Sequence, residues 1–503
     1  MGWMFRSVSR VIFLVCIGLF VLIDLSCFSF GPRSIVPIAP LSDKSQFILV
    51  SIPTDKLANF KSNTNYKISS FFEENGISYL VLPRVVWEKM EKENSGAKEE
   101  ILALGFKYYA ENFQLQNNKT AFELSDMILG YKDRFLNEKY LTSLSEKFSD
   151  LATKEVIGET NSKNQILALR LTNRKKSDDQ KLPILLKCAI HANEVITTDH
   201  CYDVIYTILT NKKMIERYLD KLIIWVIPIA NPDGSDAFWN ISHLQGRKNR
   251  FENNFKGVDL NRNFPIHWGK TGGEYSSNKI ESPYYQGEME ASEAETQAFI
   301  TLMGKERFVA SISYHAFANA LLYPYSIEGF LNPSPDLSEV VGKKITKNIR
   351  STHPTKPFLL KKNLYPIDGV DQDYYYYSYG TLAYVLESSH LNPDYKYVPK
   401  ILDSLRMVWI RLFDEIAFGE KIFIKVINSE GVPLPAKIRI KSITYFQGEA
   451  RTNHPKTGIF YSYFVPALDG ELEIESEGYQ LKTIKIDSTN KWEIQNVVLR
   501  MLD

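Results

Sequence analysis

Mostly apolar stretches alternate with amphipathic ones from residue 121 to 419, and no other feature constrains the fold as tightly. Gln165–Thr172, Leu182–Ile190, Leu222–Ile229, Phe308–Tyr314 and Thr381–Leu386 read as buried strands. Thr197–Thr210, Glu288–Met303, Leu337–Arg350 and Tyr397–Ala417 carry helical periodicity, the last closed by Gly419 as a C-cap. Strand–helix alternation of this kind specifies an α/β layer fold. In open α/β sheets ligands bind beyond the carboxyl ends of strands. The residues that follow each strand are therefore the first candidates for chemistry.

The flanks have a different character. Residues 44–116 read β-α-β-α-β, with strands Gln46–Ile52, Ile77–Leu82 and Phe106–Phe113. The helices between them are Asp55–Asn75, closed by Gly76, and Arg84–Leu104. This small α/β unit has no visible catalytic cluster, and a polar break at 114–120 separates it from the main body. Helical periodicity stops in 421–503. Short alternating strands at Ile422–Ile427, Ala436–Ile440, Ile459–Phe464, Glu471–Ser476 and Leu481–Ile486 predict a small β-sandwich.

Residues 1–30 have the makeup of an export signal. Arg6 and Arg10 precede the apolar run Val11–Ile23, which falls short of the roughly 20 residues a membrane span needs. Cys27 is a candidate for lipid attachment and membrane anchoring, beside soluble export or an uncleaved anchor; Asp24 fits a lipobox poorly. Export places the chain in the periplasm, cell envelope or extracellular space. Of 4 cysteines, Cys188 and Cys201 fall in the folded part. One sits in an apparent strand and the other in the following helix, so they read as two buried free thiols rather than a disulfide. A net charge of +1 without a long basic run gives no reason to expect nucleic acid as a partner. The chain is read as a monomer.

Polar clusters stand where an α/β sheet puts its ligands. Beyond 182–190 come His191 and Glu194; beyond 222–229 comes Asn231-Pro-Asp-Gly234. His315 follows 308–314, and Glu387 follows 381–386. A histidine with an acid three places later is common by chance, so it is the convergence of these clusters on one crevice that carries a metal reading. Two imidazoles and one carboxylate leave a fourth zinc position for water, the arrangement of a catalytic rather than a structural zinc. Zinc lowers the pKa of its water toward about 7, yet a base must still move the proton. Glu387, outside the ligand set, suits that role. Arg247 offers a guanidinium to an oxyanion, and Asn261-Arg262 could take a substrate carboxylate as a bidentate pair.

In order and spacing, His191-Ala-Asn-Glu194, Asn231-Pro-Asp-Gly234, Arg247-Lys248, Val258-Asp-Leu-Asn-Arg-Asn263, Ser313-Tyr-His315, Leu322-Tyr-Pro-Tyr325 and Glu387 resemble the zinc metallocarboxypeptidases of the carboxypeptidase A/B/E superfamily. The resemblance implies a mixed, mainly parallel twisted sheet flanked by helices over 121–419. It implies one Zn2+ ion held by His191, Glu194 and His315, with Glu387 as general base and Arg247 as the electrophile. It also implies Asn261, Arg262 and Tyr365 as clamps on the C-terminal carboxylate of a peptide or protein, Tyr365 keeping the family's separation from the late glutamate.

Asn193, where digestive members carry arginine, and the segment Tyr365–Tyr374 look like the regulatory subgroup. So does 421–503, which is similar to that subgroup's transthyretin-like domain, whereas 44–116 is similar to the digestive pro-segment. In the side-chain pocket, Ser326 stands where members that remove Lys or Arg carry aspartate. Gln372 holds the other floor position, and Phe317 replaces a wall tyrosine. Without a buried carboxylate, a cationic side chain would be left unpaired at a cost of several kcal/mol. The expectation is a zinc exopeptidase that prefers uncharged C-terminal residues. Two alternatives stay open: a cell-wall peptide (muropeptide) hydrolase of the same fold, and an inactive envelope binding protein.

Overall fold

The computed structural model describes residues 47–57, 70–74, 77–83, 98–99 and 122–502, apart from 241–244, 250–256, 271–274, 317, 353–356, 390–391, 394 and 488–491. The expected leader, with Cys27, lies outside the described residues, as does Phe317.

The N-terminal unit departs from the expected β-α-β-α-β. Strands β1 (Phe47–Pro53), β2 (Ser70–Glu74), β3 (Ile77–Pro83) and β4 (Lys98–Glu99) lie in the order β2-β3-β1-β4, and all of these pairings are antiparallel. β2 falls inside the predicted helix 55–75 and β4 inside the predicted helix 84–104. The predicted strand 106–113 lies outside the described residues. Turn chemistry is the reason for the first miss. Glu74 pairs with Ile77 in the antiparallel β2–β3 ladder, and the sequence between them is Asn-Gly, a pair favoured in two-residue hairpin loops.

The main body is built on β5 (Ala152–Glu159), β6 (Gln165–Leu171), β7 (Leu182–Lys187), β8 (Leu222–Ile227), β9 (Ala310–His315), β10 (Ala320–Leu322), β11 (Leu359–Lys361) and β12 (Leu382–Glu387). They form one sheet in the order β11-β10-β12-β9-β7-β8-β6-β5. The central β12, β9, β7 and β8 run parallel, while β10–β12, β6–β8 and β5–β6 pair antiparallel. Every residue of β7, β8 and β9 is buried; β8 is accordingly apolar throughout, whereas β9 alternates and puts Ser311, Ser313 and His315 on one side.

Helices α1 (Arg134–Lys147), α2 (Ile196–Leu209), α3 (Lys212–Tyr218), α4 (Pro232–Asn240), α5 (Ala294–Glu306), α6 (Leu337–Thr346), α7 (Asp371–Tyr379) and α8 (Val398–Phe418) cover the sheet. Ile184 and Leu186 of β7 join one core with residues of α1, α2, α6 and α8. Leu185 joins the other, with residues of α5 and α7. That is the strand's two-residue period expressed as two cores. Gly419 does end α8, in an extended rather than left-handed conformation, and a Cβ there would meet the Glu415 carbonyl oxygen at 2.4 Å.

Cys188 and Cys201 form a disulfide, contrary to the two free thiols expected. The chain beyond β7 and the second turn of α2 pack directly, and a Cα separation of 6.3 Å is within bridging range. After α8 come β13 (Lys421–Ile427), β14 (Lys437–Ile440), β15 (Ile459–Tyr463), β16 (Glu471–Glu475), β17 (Lys482–Lys485) and β18 (Gln495–Val498). They form two three-stranded sheets, β15-β13-β18 and β14-β16-β17. The β14–β15 connection leans on the main body. Arg451 donates to the Tyr376 carbonyl of α7 at 2.8 Å, and Glu449 accepts from the Tyr325 hydroxyl at 2.9 Å. Among the described residues, no helix is long and apolar enough to cross a membrane.

Candidate active site

The carboxyl ends of three neighbouring parallel strands gather the predicted residues. His315 is the last residue of β9 and lies in register with Glu387, the last residue of β12. His191 follows β7 through a turn in which Ala189 takes a positive φ of 49°. Asn231 ties that turn down: its side chain donates to the Ile190 carbonyl at 3.1 Å and accepts from the Gly234 N–H at 2.7 Å. Asn231-Pro-Asp-Gly234 is thus a capped helix start that buttresses the metal loop, with Pro232 opening α4.

His191, Glu194 and His315 are buried together, and their ligand atoms lie within 4.8 Å of one another. Glu194 Oε1 is 2.9 Å from His191 Nδ1, and its Oε2 is 3.1 Å from His315 Nδ1. Oε2 also accepts from the Ala316 N–H at 3.0 Å. On their far sides, His191 Nε2 lies 3.0 Å from Asp259 Oδ1, and His315 Nε2 lies 3.3 Å from Ser313 Oγ. With each Nε2 facing an oxygen, both Nδ1 atoms are left to point inward beside a carboxylate. That donor set fits zinc, and outer partners of this kind set tautomer and orientation.

Electrostatics divide the carboxyls. Burial opposes ionisation of Glu194, but the two imidazoles outweigh it and hold its pKa well below the usual value. Asp259 is likewise buried, and Arg247, His191 and Arg262 hold its pKa down. Burial, and then the charge of Glu194, push Glu387 the other way, well above 4.5. Glu387 Oε2 is buried with no hydrogen-bond partner among the described residues. A carboxyl poised to exchange a proton beside a metal site has this environment.

The two arginines differ. Arg247 pairs with Asp259 at 2.6 Å, approaches His191 Nδ1 at 3.4 Å and stands over the Tyr284 ring. Arg262 is 2 % exposed, donates to the carbonyls of Tyr275 and Asn261, and makes no ion pair among the described residues. Asn261 is held by its Oδ1, which accepts from the Asp371 N–H at 3.0 Å. The Tyr365 ring stacks on Tyr275 at 4.1 Å, within the field of Arg262, Arg247 and Glu387. Asn193 joins the metal loop to residue 392: its carbonyl accepts from Asn392 Nδ2 at 2.7 Å. Gln372 Nε2 donates to Ser326 Oγ at 2.9 Å, and both residues are buried.

A family model described as zinc carboxypeptidase (Peptidase M14) matches residues 137–404, more than half the chain. The chain belongs to the zinc carboxypeptidase family. Human mast cell carboxypeptidase A is 26% identical over 321 residues, 61% of this chain and 70% of that protein. Human carboxypeptidase B2 is 29% identical over 288 residues, 51% and 66% of the two chains. Among solved structures, carboxypeptidase A from Helicoverpa armigera superimposes with a TM-score of 0.53 at 18% identity, covering 74% of this chain and 97% of that one. That likeness shows the carboxypeptidase fold, and the family implies zinc.

Sequence reasoning missed the outer partners. Asp259 stood inside the quoted Val258–Asn263 cluster, where an acid two places before Asn261 was the available signal. Ser313, two residues before His315, offered a strand-period signal, since both side chains face one side of β9.

Proposed function

We propose that the chain is a zinc exopeptidase that removes single residues from the C-termini of peptides or proteins, with a preference for uncharged C-terminal side chains. The observation that carries this reading is Arg262, a buried guanidinium without an ion pair among the described residues, in the same site as the His191–Glu194–His315 cluster. A buried charge of this kind calls for an anion, and a free C-terminal carboxylate supplies one.

Bound zinc would be held by His191, Glu194 and His315 and would act as a Lewis acid toward a carbonyl and a water. Arg262 and Asn261 bind the terminal carboxylate, and Tyr365 closes over it. Glu387 takes the proton of the attacking water at its carboxylate and returns it to the leaving amine. The Arg247 guanidinium donates to the carbonyl oxygen as negative charge develops there, and Asp259 keeps it aimed.

Side-chain preference follows from the pocket floor. Two acids lie beside Ser326 and Gln372, and neither offers free charge. Asp371 is paired with Lys187 at 2.6 Å. Asp373 is pushed up to about 8 by burial and then by the charge of Asp371, which favours its neutral form. We also read the leader and the Cys188–Cys201 bridge as marks of an exported protein, and the two C-terminal sheets as a transthyretin-like sandwich.

A peptide library offered with free and with amidated C-termini, with and without a zinc chelator, tests the reading. Chelator-sensitive release of single uncharged residues from free termini alone is expected. Equal cleavage of amidated peptides would refute it.

A further inference from the structure

Ser326 and Gln372, joined by a hydrogen bond, are each reached from the β14–β15 connection, and that arrangement carries an inference resting on the exopeptidase reading above. Ser326 follows Tyr325, which is fully buried. The Tyr325 hydroxyl donates to Glu449 Oε1 at 2.9 Å, and Glu449 Oε2 accepts from the Gln447 N–H at 3.0 Å. Gln372 stands in the first turn of α7. At the other end of that helix Arg451 donates to the carbonyls of Tyr376 and Tyr377 at 2.8 and 3.3 Å. A cation on the last carbonyls of a helix fixes that end. The Tyr325 and Tyr376 rings meet edge to face at 5.3 Å, so the two contacts form one cluster.

The same connection grips the chain beyond Ser326. Thr444 and Ser334 exchange both main-chain hydrogen bonds, at 2.9 and 3.0 Å, and Gln447 Nε2 donates to the Leu331 carbonyl at 3.3 Å. Asn332, between them, accepts from the Tyr325 N–H at 3.2 Å and donates to the Pro324 carbonyl. Glu449 is 8% exposed and makes no ion pair among the described residues. A buried carboxylate without a cation is costly, so its presence calls for a role. Docking does not require it, since apolar residues of the C-terminal sheets already share one core with α6 and α8.

We infer that Glu449 and Arg451 are positioning residues for side-chain selection: Glu449 sets Ser326 through Tyr325, and Arg451 sets Gln372 through α7. The C-terminal unit thereby completes the wall of the pocket that receives the substrate's last side chain.

The test compares release of Phe and of Ala from peptides that differ only in that C-terminal residue, using the full chain loaded with zinc. Zinc content and unfolding temperature are recorded for each variant. Phe fills the pocket and Ala barely enters it, so a displaced wall acts on the first alone. Glu449→Ala is expected to raise KM for the Phe peptide roughly 10-fold, with its kcat and both constants for the Ala peptide within about 2-fold of wild type. Glu449→Gln, which keeps an acceptor for the Tyr325 hydroxyl, is expected to restore the wild-type ratio, and Arg451→Met to shift it as Glu449→Ala does. Tyr325→Phe removes the hydroxyl and keeps the ring. It should reproduce the shift, add little to it in the double variant with Glu449→Ala, and carry the test should Glu449→Ala fail to fold. An unchanged Phe-to-Ala ratio of kcat/KM in folded, zinc-loaded Glu449→Ala, Arg451→Met or Tyr325→Phe overturns the inference, as does an equal loss on both peptides in step with a fall in unfolding temperature. A wild-type chain that releases neither residue overturns the proposed function itself, a separate and distinguishable failure.

Discussion

The metal cradle and the proposed side-chain pocket treat buried charge in opposite ways. In the cradle, charges meet partners: Glu194 lies between two imidazoles, Asp259 between His191 and Arg247, and Asp371 against Lys187. In the pocket, Ser326 and Gln372 are neutral, and burial pushes the Asp373 pKa up to about 8. Breaking a buried pair leaves a charge uncompensated, at about 3–5 kcal/mol, whereas a neutral hydrogen bond is worth about 1 kcal/mol. The cradle therefore resists substitution, and the pocket is where selectivity can change without loss of the fold.

The largest effect should come from Glu387, the acid of the cradle that lacks a cation. Glu387→Gln is expected to retain zinc by metal analysis and to lower kcat by roughly 10²- to 10⁴-fold. Turnover near wild type would remove Glu387 from the mechanism. Next in size is Arg247→Met, which takes a donor from the developing oxyanion and strands Asp259. A fall in kcat of roughly 10²- to 10³-fold is expected, and a change confined to KM would argue that Arg247 only binds substrate.

The pocket should respond in selectivity rather than in rate. Ser326→Asp supplies the missing carboxylate, and the ratio of kcat/KM for C-terminal Lys or Arg over Leu is expected to rise by roughly 10²-fold. An unchanged ratio would show that the floor lies elsewhere.

The smallest effect concerns Glu295, a buried acid away from the site that shares the pocket's way of avoiding charge. Burial first, with Asp233 and Glu293 adding to it, pushes Glu295 up to about 7, against 4.5 in the open chain. Between those values the folded state holds a proton that the unfolded state has lost. The contribution of Glu295 to stability is therefore greatest below pH 4.5 and declines as pH rises toward 7. Glu295→Gln should flatten denaturant-derived stability between pH 5 and 7, removing a slope of about 2 kcal/mol. A slope equal to wild type would place the titration elsewhere.

How much of this was legible depends on the range of the interaction. β7, β8 and β12 were readable because strands buried on both faces are mostly apolar runs, and β9 because its apolar residues recur at every second position. β5, half exposed at the sheet edge, and the three-residue β10 and β11 leave too little pattern to read. In the N-terminal unit, helical spacing was read into 55–75, and the pairing of Ser70–Glu74 with Ile77–Leu80 overrode it. The tyrosine run 374–377 gave no periodicity, yet it forms α7 because its rings pack on Phe264, Tyr325 and Arg451.

By itself, the order of residues along the chain determined the α/β class and the zinc carboxypeptidase resemblance. It also marked His191, Glu194, His315 and Glu387 as one group, because each ends or follows an apolar strand. Only the tertiary structure decided what stands behind them: Asp259 on one histidine, Ser313 on the other, and Cys188 bonded to Cys201. The reason is physical. Strand ends are local features, written in neighbouring residues. A hydrogen-bonded outer partner or a bridged thiol depends on distances of 3 to 6 Å between segments that only packing brings together.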